Sequence, residues 1–334
     1  MTMRAGIRWG GLLLAFVLSL AAVSATAWHD RVPEAARGHV GQPQAVPGHH
    51  APGPDTGRPV PTSSADWDEV GNLLGRPGKI TPDNLTYRVF FPRSDLSVTT
   101  LGVQLALGTD LTNFAAFTVY ADGQVMMMGD LVVTEQELEP VIDAIQAGDF
   151  AQHGIHKHLL SSRPALWWLH FDGMGGAGSL ARRFMSVLRA TGTPLAPTPA
   201  GRPVTGLDTA GINTALGYKG SSLFGTYVLE PPRRDTFAHH RRVLPPVPGP
   251  ASSLRFQPLP GGRALANGDI AVREQEVQPV LRALRAARIT VVSMHNHFLD
   301  IRPSLYFTHF WAVGDEVRLA RVLRKVLDRT NSPR

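Results

Sequence analysis

The chain has 334 residues, 43% hydrophobic and 18% charged, which is enough apolar content for a packed core of one or two domains. Its 33 Lys and Arg against 27 Asp and Glu leave a net charge of +6, which suits anionic partners. No nucleic-acid motif or aromatic interleaving accompanies that charge, so nucleic acid is excluded as a partner. Cysteine is absent, which excludes disulfides, thiolate metal sites and a lipid-accepting cysteine, and any zinc must use histidine and carboxylate ligands.

At the N-terminus Arg4 and Arg8 precede an apolar run from position 10 to 23, followed by the small residues Ala25-Thr26-Ala27. This is the pattern of a secretory signal peptide over residues 1–27, cleaved after Ala27. The run is shorter than the about 20 residues a spanning helix needs, so no stable membrane span is expected after cleavage. A secreted or cell-envelope location follows. Residues 28–65 are rich in Pro, Gly and Ala without apolar periodicity and read as a disordered tether, with His29, His39, His49 and His50 solvated in it.

The remainder is a duplication. Gly129-Asp130, Glu135-Gln136-Glu137, Pro140, His156, His158, Arg163-Pro164, His170-Phe171 and Leu180-Ala181-Arg182 all recur 139 positions later. About two in five positions are identical between 129–190 and 268–329. Such self-similarity defines the architecture: repeat 1 over 66–192, a Pro-rich linker over 193–205 and repeat 2 over 206–330.

Each repeat reads as ββαββα. In the first, strands are expected at 114–120 and 124–133 around the Asp122-Gly123 turn. A helix follows, with apolar spacing at Leu138, Val141, Ile142 and Ile145 and a capping box at Thr134 and Glu137. Arg273 removes that cap from the second copy, and Pro140 and Pro279 predict a late start or a bend. Glu135, Glu137, Glu274 and Glu276 read as a charged first turn that favours the helix dipole. Two more strands, at 154–160 and 165–171, precede a closing helix, and the second copy repeats the order. Two such units predict an α+β fold, a pseudo-symmetric sandwich with helices on one sheet face.

The chemistry sits in the copied strands. Side chains alternate on a strand, so His156 and His158 share a face and Lys157 looks away. A turn at 161–165 would place His170 opposite His156, giving three nitrogens arranged as a tetrahedral zinc requires, with a fourth position open for water. His295, His297 and His309 form the same set in repeat 2, with Asn296 where repeat 1 has Lys157. Asp130 and Asp269 can orient a ligand imidazole or act as base, and Arg163 and Arg302 at the hairpin ends can hold an anionic group. The aromatic residues Trp167, Trp168, Tyr306 and Phe307 read as packing. Arg233, Arg234, His239, His240, Arg241 and Arg242, the densest positive cluster, read as a solvated loop.

The Gly-Asp hairpin end, the Glu-x-x-Pro-Val helix, the His-Asn-His strand and the Leu-Ala-Arg helix resemble the LppY/LpqO family over residues 68–330. The resemblance implies an exported bacterial protein built on a domain of unknown function and brings no reaction with it. Two functions therefore compete: a metal-dependent hydrolase acting on a small molecule, with a three-histidine zinc site per repeat, and a non-catalytic envelope module that contacts anionic cell-wall polymer through its basic surface.

Overall fold

The computed structural model describes residues 57–197 and 203–334. The signal segment, most of the tether and linker residues 198–202 lie outside the described residues. Among the described residues no helix is long and apolar enough to cross a membrane. Residues 57–65, read from sequence as tether, are tied to the first sheet instead: Val60 N–H donates to Val119 O at 2.9 Å and Thr62 N–H to Asn84 O at 2.8 Å.

Repeat 1 contains α1 (Asp68–Leu73), β1 (Lys79–Ile80), β2 (Tyr87–Pro92), β3 (Thr112–Val119), β4 (Val125–Thr134), α2 (Leu138–Ala147), β5 (Ala151–His156), β6 (Leu166–Gly175) and α3 (Ala177–Leu188). Repeat 2 contains α4 (Thr209–Leu216), β7 (Ser221–Leu223), β8 (Thr226–Leu229), β9 (Ser253–Leu259), β10 (Arg263–Arg273), α5 (Glu274–Ala286), β11 (Thr290–His295), β12 (Leu305–Gly314) and α6 (Glu316–Leu327). The sheets have the same strand order, β1-β2-β3-β4-β6-β5 and β7-β8-β9-β10-β12-β11, and the same antiparallel pairing. The α+β, two-repeat sandwich expected from the sequence is therefore the fold. Each repeat also carries a helix and two strands ahead of the ββαββα unit. There the copies have diverged, but Tyr87 Oη accepts from Gly78 N–H at 2.5 Å just as Tyr227 Oη accepts from Gly220 N–H at 3.1 Å.

Strand alternation sorts the core into layers. On the outer face of the first sheet Leu131, Val133, Leu169 and Phe171 pack under Val141, Ile145, Leu180 and Phe184 of α2 and α3. On the second, Ile270, Val272 and Phe310 pack under Val280, Leu284, Leu323 and Leu327. The inner faces meet each other. Val132, Leu166 and Trp168 join Leu265 and Trp311 in one cluster, and Met126 joins Ala271, Leu305 and Phe307 in another. The order of layers is helix, sheet, sheet, helix.

Two details differ from the sequence reading. Thr134 does not cap α2. Helix α2 begins at Leu138, and Glu137 accepts the Thr134 N–H at 2.8 Å. In repeat 2 the same half of the box persists, with Glu276 accepting the Arg273 N–H at 2.8 Å, so Arg273 removes less than expected. These glutamates also do more than favour a helix dipole. Glu137 and Asp95 hold the fully buried Arg93, and Glu276 and Asp235 hold the buried Arg233. Each arginine donates to the equivalent carbonyl, Val132 O or Ala271 O, at 2.7 Å.

Candidate metal centre

The inner faces carry the histidines. On β6 the residues facing the second sheet are Trp168, His170 and Asp172; on β12 they are Phe307, His309 and Trp311. The expected register is off by two: His170 pairs with Gly154, not His156, and His156 pairs with Trp168. A nine-residue connection pinned by a Thr99–Arg163 bridge, longer than the five-residue turn expected, accounts for the shift. An even shift keeps every side chain on its predicted face. The second copy has the same register, His295 with Phe307 and Ser293 with His309. His158 and His297 lie just past their strands, and each stacks on the aromatic residue of the next strand, Trp168 at 4.4 Å and Phe307 at 3.6 Å. Lys157 points away and sits over the Trp167 ring at 4.6 Å, so it does not intrude on the site.

Because the inner faces meet, the two expected three-histidine sites merge into one. His156 stacks on His295 with centroids 3.5 Å apart, and His158 on His309 at 3.8 Å. The groups whose ligand atoms lie within 4.8 Å of one another mix the repeats: His156, His158 and His309 form one, and His156, His170 and His295 the other. His297 adjoins them, 4.2 Å from His170 between ring centroids.

The state of the rings follows from burial. Burial, then neighbouring imidazoles, pushes His156, His158, His295, His297 and His309 well below the usual histidine range, and burial with His153 brings His170 down to about 3. All six are neutral near pH 7, the form that binds metal. Gly268 O can only accept, so His309 carries its proton on Nδ1, 3.2 Å away, and leaves Nε2 as a bare lone pair. Among the described residues the buried nitrogens His156 Nδ1, His158 Nδ1, His170 Nε2, His295 Nδ1 and Nε2, His297 Nε2 and His309 Nε2 have no hydrogen-bond partner. Unpaired buried polar atoms are costly and uncommon. Seven in one cluster fit a transition metal, which imidazole nitrogen binds well.

A cleft of about 650 Å³ opens beside the cluster, between β1–β3 of one repeat and β7–β9 of the other. His297, Trp168, Asp110, Asp130, Asp269 and Arg255 reach it, and the exposed Lys79 and Lys219 stand at its rim. Arg88 crosses it to Glu230 with contacts of 2.5 and 2.9 Å. Arg255 lies 2.9 Å from Asp110, whose other oxygen accepts from Asn267 at 2.6 Å and lies 3.6 Å from His158 Nδ1. Burial raises all three carboxyls, Asp130 further through Asp110, and Asp269 to about 7 against the pull of Arg255. Asp130 is 3.8 Å from His170, and both groups are pushed toward their uncharged forms.

The sequence-derived site residues separate here. The six histidines converge, and Asp130 and Asp269 line the cleft beside them. Arg163 and Arg302 are exposed and pair by backbone with Thr99 and Ala238, away from the cluster. The basic stretch is not a freely solvated loop either: Arg233 is in the buried ion pair, Arg242 meets Asp122 at 2.5 Å, and His239 and His240 face Asp172. Asp110, Arg255 and Asp172 were missed, since none is copied and each acts from a different element.

A search of curated proteins finds no match. Among solved structures, a double-ringed trimeric shell protein of the RMM microcompartment aligns with 61% of this chain and 82% of its own at 13% identity, but its TM-score of 0.19 carries no argument about fold. The profile of one family, described as Domain of Unknown Function (DUF1259), matches twice in tandem, over residues 68–190 and 210–329, each match holding one set of the histidines. With that profile covering well over half its length in two copies, the chain belongs to the DUF1259 family.

Proposed function

We propose that this is an exported metalloprotein of the LppY/LpqO type, in which the six histidines hold a divalent transition metal of the zinc class and the adjoining cleft brings a small anionic ligand to it for hydrolysis. The observation that carries the reading is the set of seven unpartnered, buried ring nitrogens gathered from both repeats. A metal held there supplies Lewis-acid polarisation and a water activated near neutral pH. The remaining roles fall to side chains of the cleft. Lys79, Lys219 and Arg255 attract and orient an anion. Asp269, with its carboxyl raised to about 7, is poised to take or give a proton near neutrality. The Gly268 carbonyl orients His309. Export rests on residues 1–27 as read from the sequence.

The test is calorimetric titration of chelator-treated full-length protein with Zn²⁺, followed by assay of loaded and stripped protein on chromogenic phosphate and carboxylate esters. The expected result is zinc uptake that His295→Ala/His297→Ala removes, with turnover only in the loaded form. Absence of uptake by the unsubstituted chain overturns the proposal, and uptake without turnover overturns its hydrolytic part.

A further inference from the structure

A two-stranded hairpin, Ala238–His239 with Arg242–Val243, has a counterpart 139 residues earlier, Thr99–Thr100 with Val103–Gln104. Each is bridged to the connection of its own repeat, Thr99 to Arg163 and Ala238 to Arg302. In the first copy the turn residues are Leu101 (φ 47°) and Gly102 (φ 79°); in the second they are His240 (φ 48°) and Arg241 (φ 62°). Turns with positive φ at both positions favour Asn-Gly. Repeat 2 carries arginine where repeat 1 has glycine, so its turn is the more strained, and strain held by a surrounding structure is a pointer to function.

What the turn holds is an imidazole. His240 Nε2 lies 3.3 Å from Asp172 Oδ2, and His239 Nε2 lies 2.7 Å from the same oxygen. The other oxygen, Oδ1, is 2.7 Å from His153 Nε2. The Leu299 N–H donates to His153 Nδ1 at 3.4 Å, which places the His153 proton on Nε2, donating to Asp172. His153 therefore orients the carboxylate and leaves Oδ2 to the other two rings. Ligand atoms of His239, His240 and Asp300 lie within 4.8 Å of one another. Asp172 and His239 are 0% and 1% exposed, and among the described residues His239 Nδ1 has no hydrogen-bond partner. His240 and Asp300 are exposed. The cluster is closed at its base and open to solvent above.

Nothing in this set is copied. His153, Asp172, His239, His240 and Asp300 correspond to Val292, Trp311, Thr100, Leu101 and Ser161. It is therefore not part of the framework that the duplication repeats.

We propose that Asp172, His239, His240 and Asp300 form a second divalent transition-metal site, one rung along β6 from His170 and separate from the six-histidine cluster, with His153 as the positioning residue for Asp172. Two imidazoles with two carboxylates suit Zn²⁺, Fe²⁺ or Ni²⁺ better than an all-oxygen cation. The open side leaves room for water or a ligand.

Equilibrium dialysis of the full chain against Zn²⁺ tests this, comparing the unsubstituted protein, His240→Ala/Asp300→Asn and His295→Ala/His297→Ala. Both residues of the first variant are exposed, and metal-free thermal melting establishes that it folds. The expected result is one zinc per chain lost in His240→Ala/Asp300→Asn, with this site's zinc retained in His295→Ala/His297→Ala. His240→Gly, which relieves the turn, should raise the metal-free melting temperature while losing the same zinc. Unchanged stoichiometry and affinity in His240→Ala/Asp300→Asn and in His240→Gly overturn the proposal. Failure of the central cluster would show separately, as unchanged binding in His295→Ala/His297→Ala.

Discussion

The His156 ring lies against that of His295, its own counterpart 139 residues on, with centroids 3.5 Å apart and planes 17° from parallel. A residue that contacts its own copy lies beside the axis relating the copies. The pseudo-twofold axis of the duplication therefore passes through the histidine cluster, and neither repeat can build the site alone.

It follows that His156→Ala, which removes a ligand from both three-histidine groups, should abolish zinc binding by the cluster, whereas His295→Ala removes one from a single group and should weaken it. The expected loss of zinc affinity exceeds the about 10–100-fold that outer-shell partners cost. The double substitution should cost little more than His156→Ala alone, because that change already touches both groups. Calorimetric titration measures this. Retention of half the cluster's zinc in His156→Ala would mean two separate sites.

The metal-free protein should lose stability in mild acid. Burial lowers the folded-state titration of six histidines below the unfolded value of about 6.5. The unfolded chain then binds protons first, so stability is full above about 6.5 and falls as pH drops through that value, down to about 3 for His170. Asp269, raised to about 7, acts in the opposite direction, as do the raised Asp110 and Asp130, since the folded state keeps these protons longer and stability declines as pH rises from about 4. Three raised carboxyls against six depressed histidines leave a net acid loss. Urea midpoints at pH 5 and pH 7 check it, and an unchanged or higher midpoint at pH 5 contradicts it.

The doubled Gly-Asp has a steric reason. A Cβ on Gly129 would strike the Phe171 ring, and one on Gly268, at φ 134°, would strike the Ser253 carbonyl. Gly129→Ala should cost about 1–3 kcal/mol through displacement of a packed ring. Gly268→Ala should cost more, because backbone must move, and should weaken zinc binding by shifting the carbonyl that orients His309. Urea unfolding and zinc titration of the two variants measure the effects.

Glu137→Gln should destabilise the chain by about 1.5–3 kcal/mol, the range for hydrogen bonds to a charged group, because Arg93 is fully buried and keeps only Asp95 as its anionic partner. Glu276→Gln should match it through Arg233. Lower urea midpoints at unchanged slope are expected, with zinc affinity unaffected.

Much of this was legible in the residues. The constant offset of 139 revealed the repeats, and alternation placed the six histidines on one face even though the register was two positions out, since an even shift does not turn a strand over. The merging of the sites was not legible. Inner-face residues such as Leu166 and Leu265 are as apolar as the helix-facing Leu169 and Ile270, so composition does not say which face meets the other sheet. Asp172, His153 and His239 lay hidden for a different reason: three elements supply them, with no local spacing and no copy. The available signal was Asp172 itself, two residues from His170 and so on the same face, together with a His-His pair in a tight turn.

Anomalous diffraction from a zinc-soaked crystal of the full chain, recorded on both sides of the zinc edge, tests the central claim most directly. The account predicts a zinc peak between the sheets, bounded by imidazoles of both repeats with His156 and His295 among them. Zinc peaks elsewhere on the molecule with none among these six histidines would contradict it.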